Sequence, residues 1–171
     1  MTQTFQHFQL SKPLPDNIAK LDFAEPTPIQ QLVIPKAATG SDIYAQAKTG
    51  TGKTAAYGLP ILDAMLPDAF SFIRALIIVP TRELAFQVNE MLEAFAAGSE
   101  LKGQVIVGGE QDLAVQEHRL RQGTDWVIAT PGRLLDHLNR QYVDLTHLQF
   151  LVLDEADQLM DMGFIDPIRE I

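Results

Sequence analysis

Apolar residues fall along the chain in two alternating patterns. Short unbroken runs at Arg74–Val79 (RALIIV), Gln104–Val107, Asp125–Ala129 and Leu148–Leu153 (LQFLVL) have the length and composition of strands buried on both faces of a parallel sheet. Between them apolar positions recur at helical spacing: Leu84, Val88, Met91, Leu92 and Phe95 after a capping Thr81, then Leu134, Leu135 and Leu138 after Thr130-Pro131-Gly132. Further helices are expected from about Lys53 to Met65 and from about Gln111 to Arg121. A shorter run, Ile43–Ala45, reads as the first strand. Strands alternating with helices at this pitch predict an α/β fold of three layers, with a mostly parallel central sheet and helices on both faces.

The first 30 residues precede that alternation. Pro13, Pro15 and Asp16 suit a helix start, and Ile18, Leu21 and Phe23 give the short helix an apolar side. A second helix starts at Pro28 with Thr27 as its cap, which turns Gln30 outward as a solvated residue. Trp126 reads as core, and Met160 and Met162 are expected to pack against the sheet.

Composition narrows the class. The chain has 171 residues, 46% of them hydrophobic and interrupted by charge throughout, so one domain is expected and no run approaches the length of a membrane span. With no cysteine, disulfides, thiolate metal sites and a cysteine nucleophile are excluded, which suits a reducing cytoplasm. The N-terminal stretch has the pattern of neither an export nor a transit signal. His7, His118, His137 and His147 lack ligand spacing. A net charge of −9 argues against holding nucleic acid by bulk attraction, so any such contact must be local and sparse.

The chemistry gathers where strands end. In 42–58, DIYAQAKTGTGKTAAYG, a glycine-rich turn opens into an alanine-rich helix, the form of a phosphate-binding loop. Gly50 and Gly52 let successive N–H groups point into one concavity, Lys53 offers a charge to β- and γ-phosphates, and Thr54 a hydroxyl to Mg²⁺. Ala47 stands where the strict pattern has glycine. Thr81-Arg82, Gly108-Gly109, Thr130 to Arg133 and Asp154-Glu155 each lie just past an expected strand, where ligands bind in such folds. Asp154 is placed to serve as the Mg²⁺ partner of the loop, and Glu155 to orient an attacking water. Capping of the next helix is the bland alternative for both carboxylates.

Taken together, AKTGTGKT (47–54), PTRELA (80–85), Gly108-Gly109, TPGR (130–133) and DEAD (154–157), in that order, make the chain resemble the first RecA-like domain of a DEAD-box ATP-dependent RNA helicase. Phe5 with PTPIQ (26–30) resembles the adenine-recognising Q motif of that family. The resemblance covers nearly the whole chain and accommodates Ala47. It implies a Q-motif region over 1–35, packed on a RecA-like ATP-binding domain over 36–171. It further implies that Phe5 stacks on adenine and Gln30 reads its edge, while Ala47, Lys48, Thr49, Gly50, Thr51, Gly52, Lys53 and Thr54 hold the nucleotide. Lys53, Asp154 and Glu155 would be catalytic, and Thr54 and Asp154 would hold Mg²⁺. Thr81, Arg82, Gly109, Thr130 and Arg133 would lie along an RNA backbone, and Asp157 would couple hydrolysis to a neighbouring motif. A Ser-Ala-Thr motif and a second RecA-like domain bearing arginines are implied beyond Ile171. Two other readings stay open: a non-enzymatic ATP- or RNA-binding module, and a P-loop kinase or transporter ATPase, which leaves PTRELA and TPGR unexplained. The RNA acted on and the oligomeric state are not legible.

Overall fold

A parallel sheet needs apolar side chains on both faces and a ladder partner for each interior strand, and the four longer apolar runs meet both conditions. The computed structural model describes residues 4–67, 72–109 and 113–171. Strands β1 (Ala75–Ile78), β2 (Gly103–Ile106), β3 (Trp126–Ala129) and β4 (Phe150–Leu153) pair in the order β2-β3-β1-β4, every pair parallel. Ala75 lies opposite both Trp126 and Phe150, and Gly103 opposite Trp126.

The helices are α1 (Leu14–Lys20), α2 (Pro28–Ala37), α3 (Lys53–Met65), α4 (Arg82–Ala96), α5 (Leu113–Arg121), α6 (Pro131–Asn139), α7 (Ala156–Asp161) and α8 (Ile165–Glu170), preceded by a 3₁₀ turn at Phe5–Phe8. The expected start of α5 at Gln111 lies outside the described residues. No described helix is long and apolar enough to cross a membrane.

The chain divides into two compact units, Met1–Asp68 with Met91–Leu101, and Ala69–Glu90 with Lys102–Ile171. The second holds the sheet. One core joins Leu76 and Ile78 of β1, Val127 and Ala129 of β3 and Ile106 of β2 to Leu120, Leu134 and Leu159 from α5, α6 and α7. Trp126 is core as expected, and its indole N–H donates to Asn89 Oδ1 (3.1 Å). Arg74 and Asp125, both buried, form an ion pair at 2.5 Å, and the other Asp125 oxygen accepts the Lys102 N–H at 2.9 Å. Met160 and Met162 depart from expectation, being 58% and 49% exposed: the short α7 turns Leu159 inward and leaves both methionines outside.

In the first unit α2 packs on α3, and Phe23 meets Phe5 and Phe95 edge-on. Asn17 is buried in α1 and donates to the carbonyls of Phe95 and Ala97, both at 2.8 Å, thereby capping the end of α4. The strand expected at Ile43–Ala45 is not formed. Residues 41–48 carry no regular structure, and Tyr44 is 90% exposed. Three apolar residues without a ladder partner have no backbone bonds to hold them in a sheet.

Candidate functional site

Four of the five expected motif clusters sit at the carboxyl ends of strands in one parallel sheet, hence on one edge of it. The ladder itself delivers them. The Thr130 N–H bonds the Ile106 carbonyl (3.2 Å) and the Asp154 N–H the Ile78 carbonyl (3.0 Å), so the first residue of each of these motifs is fixed by the ladder, while the Val79 N–H on the Ala129 carbonyl (3.0 Å) holds the residue before Pro80. Thr81 caps α4 as expected, its Oγ1 accepting the Leu84 N–H at 3.2 Å.

Arg82, Gly108-Gly109 and Arg133 come together in space. Gly109 has φ +103, a conformation that favours glycine, and a Cβ there would fall 1.9 Å from Arg82 Nη1 and push the guanidinium from its place across the turn. A Cβ on Gly108 would lie 3.9 Å from Arg133 Nη2. Arg133 also faces Asp136 at 3.8 Å, a loose pair one turn along α6. These side chains come from three separate strand ends.

At β4 the carboxylate of Asp154 is buried, and its Oδ1 accepts the Glu155 N–H at 2.9 Å. Glu155 has φ 50 and ψ 50, a left-handed conformation, and its carbonyl starts α7 by accepting from Leu159 N at 3.0 Å. Asp157 is exposed in the first turn of that helix.

The phosphate loop belongs to the first unit. Thr51 Oγ1 donates to the Lys48 carbonyl at 2.7 Å, closing a turn over Thr49 and Gly50. Gly50 and Gly52 have φ +80 and +86, both left-handed, and Gly52 caps α3, whose first residues are Lys53 and Thr54. Ala47 is half-buried, while Lys48, Thr49 and Gly50 are exposed. Nothing lies within 4 Å of where a Gly50 Cβ would be.

Gln30 corrects the sequence reading most sharply: it is 1% exposed, not solvated. Its Oε1 accepts the Thr27 N–H (2.9 Å) and its Nε2 donates to the Gly52 carbonyl (3.2 Å), which also takes the Ala56 N–H at 3.1 Å. The Thr27 hydroxyl stands at the reciprocal position of a capping box but finds no partner of hydrogen-bonding geometry. A Cβ on Gly52 would lie 2.3 Å from Gln30 Nε2, so the two residues are fitted to each other. Proline at the first helical position and glutamine two residues later was the available signal. Phe5 is buried against Phe8 and Phe23.

One histidine that its spacing marks only as a poor metal ligand has a buried partner. His137 of α6 is fully buried, with Nε2 2.8 Å from Gln116 Oε1. Burial first, then the Arg133 charge, holds its pKa below the usual imidazole value.

Residues 27–171 match the family described as DEAD/DEAH box helicase. A protein of Dictyostelium discoideum named as probable ATP-dependent RNA helicase ddx27 is 50% identical over 171 residues, covering 98% of this chain and 22% of that protein. DEAD-box ATP-dependent RNA helicase CshA of Bacillus subtilis (strain 168) is 44% identical over 172 residues, covering 100% of this chain and 34% of that one. The chain thus spans between 22% and 34% of these relatives' lengths. The crystal structure of a DEAD box protein from the hyperthermophile Methanococcus jannaschii superposes with a TM-score of 0.91 at 36% identity, covering 98% of this chain and 45% of that one.

Proposed function

The chain belongs to the DEAD/DEAH box helicase family, and from that premise we propose that it is the nucleotide-binding RecA-like part of an ATP-dependent RNA helicase. The observation that carries the RNA half of this reading is the meeting of Arg82, Gly108-Gly109 and Arg133 at one sheet edge. Two guanidinium groups beside an uncovered glycine turn suit the phosphates of a single strand, with Thr81 and Thr130 at neighbouring strand ends. Few contacts of this kind are needed, which reconciles RNA binding with a net charge of −9.

For the nucleotide half, the loop from Ala47 through Lys48, Thr49, Gly50, Thr51 and Gly52 wraps the phosphates of ATP and Lys53 pairs with them. The left-handed glycines and the open space at Gly50 support this. Gln30 has already used one lone pair and one N–H, and an amide retains one more of each, the pair needed to read an adenine edge. Phe5 lies beside the base. The hydroxyl of Thr54 and the carboxylate of Asp154 are oxygen donors that fit Mg²⁺, which when bound would neutralise charge on the phosphates. Glu155 holds the attacking water, and Asp157 couples the site to a neighbouring motif. A second RecA-like domain supplies the remaining arginines, and duplex unwinding requires it.

Equilibrium binding tests both halves. ADP should bind better than GDP, and Gln30→Ala should narrow that difference by ~1–3 kcal/mol, the worth of a bidentate base contact. Arg82→Ala and Arg133→Ala should each weaken binding of labelled single-stranded RNA across sequences and lower its salt slope by about 1. Equal affinity for ADP and GDP removes the adenine assignment; RNA affinity indifferent to both arginines removes the RNA assignment.

A further inference from the structure

Three buried groups in succession link α6 to the glycine turn. His137 Nε2 is 2.8 Å from Gln116 Oε1, and Gln116 Nε2 donates to the Val107 carbonyl at 3.0 Å. His137 and Gln116 are both 0% exposed, and Val107 is 1% exposed. The donor directions are settled by chemistry. A carbonyl can only accept, so Val107 requires the amide nitrogen of Gln116 on its side, which turns the amide oxygen towards His137. An amide oxygen also only accepts, so the proton of the neutral imidazole is on Nε2. Nδ1 is then a bare acceptor, consistent with its being buried with no hydrogen-bond partner.

The two ends of this chain are functional in the reading above, on which the inference rests. Val107 is the residue before Gly108-Gly109, and its carbonyl belongs to the peptide that begins the turn. His137 lies one helical turn beyond Arg133, on the same face of α6. We propose that His137, acting through Gln116, is a positioning residue that fixes the Gly108-Gly109 turn relative to Arg133 and so sets the groove offered to an RNA backbone. Its substrate class is a phosphodiester strand, and it touches no part of it. Without the imidazole donor, the Gln116 amide loses one of the bonds that orient it, its hold on the buried Val107 carbonyl weakens, and the turn shifts.

Rescue by shape separates this role from mere core packing. Leucine fills the volume of His137 without a donor, whereas glutamine places an N–H where Nε2 stands. In His137→Leu the Gly108 and Gly109 amide resonances should shift, and the affinity for single-stranded RNA should fall about three- to tenfold, the scale of one lost hydrogen bond, with ADP affinity unchanged. His137→Gln should return both readouts towards the unmodified chain. The imidazole nitrogen spectrum of the unmodified chain should show the Nε2–H tautomer, a readout that needs no variant to fold. The proposal is overturned by the Nδ1–H tautomer, by unmoved Gly108 and Gly109 resonances in His137→Leu, or by His137→Gln behaving as leucine does. Failure of the unmodified chain to bind RNA would instead defeat the RNA reading, and the amide and tautomer measurements would still decide whether the relay holds the turn.

Discussion

Residues 75–78 and 43–45 both place apolar sequence just ahead of a motif loop. The first run lies between β3 and β4 with all four residues buried; the second has no ladder partner among the described residues and leaves Tyr44 exposed to 90%. Apolar character supplies a reason to be buried, but a strand also needs a neighbour for its N–H and C=O groups. The loops that follow are held differently as a result. Thr130 and Asp154 hang from the last bonds of a ladder, whereas the phosphate loop is tied down by its own turn, by α3 and by the amide of Gln30.

The largest expected effect separates the two runs directly. Ile77→Asp puts an unpaired charge inside the sheet and should cost more than about 4 kcal/mol or abolish folding, while Tyr44→Asp should stay within about 0.5 kcal/mol in urea unfolding. Similar losses would mean that 43–45 is buried in solution. Glycines give a finer contrast. A Cβ at Gly103 would fall 2.1 Å from the Trp126 ring, so Gly103→Ala should cost ~1–3 kcal/mol by overpacking. Gly50→Ala meets no atom and bears only the left-handed backbone, about 1 kcal/mol. Reversal of that order would place the phosphate loop against something the sheet region lacks.

Acid should produce the smallest difference, confined to one region. The folded pKa of His137 is depressed by burial and by Arg133, with a smaller push from Arg140, against upward pulls from Asp136 and Glu117. The unfolded chain then binds a proton that the folded chain refuses, so the contribution is complete above the unfolded value of about 6.5 and fades as pH falls. Amide exchange at Val107–Gly109 should therefore quicken between pH 7.5 and 5.5, once corrected for intrinsic rates. Gln30, Gly52 and Ala56 are joined by amides that do not titrate, so exchange at Ala56 should show no such change. Equal acceleration at both places would show that acid acts globally and not through His137.

Much of the fold was legible because buried parallel strands leave little sequence ambiguity. RALIIV contains β1 whole, α3 starts at Lys53 and ends at Met65 as its alanine-rich start predicts, and Thr81 and Thr130 mark helix starts. The strand at 43–45 was misread because pairing is non-local and no local pattern reports it. Gln30 was misread because a glutamine is usually solvated, and only the fold brings the Gly52 carbonyl within reach. His137 and Gln116, 21 positions apart, carry no joint signal, and the same holds for Arg74 and Asp125 at a separation of 51. Spacing revealed motifs that are contiguous in sequence and was silent on partnerships made by packing.

The left-handed backbone of Glu155 at the start of α7 bears on how such a sequence drifts over generations. A residue with a Cβ spends about 1 kcal/mol in that conformation that glycine does not. Selection acting on folding alone would therefore push position 155 towards glycine or asparagine, and a random library sorted for thermal resistance should be enriched in both. A glutamate kept there through many lineages would record a pressure opposed to stability, the sign of a side chain retained for its chemistry.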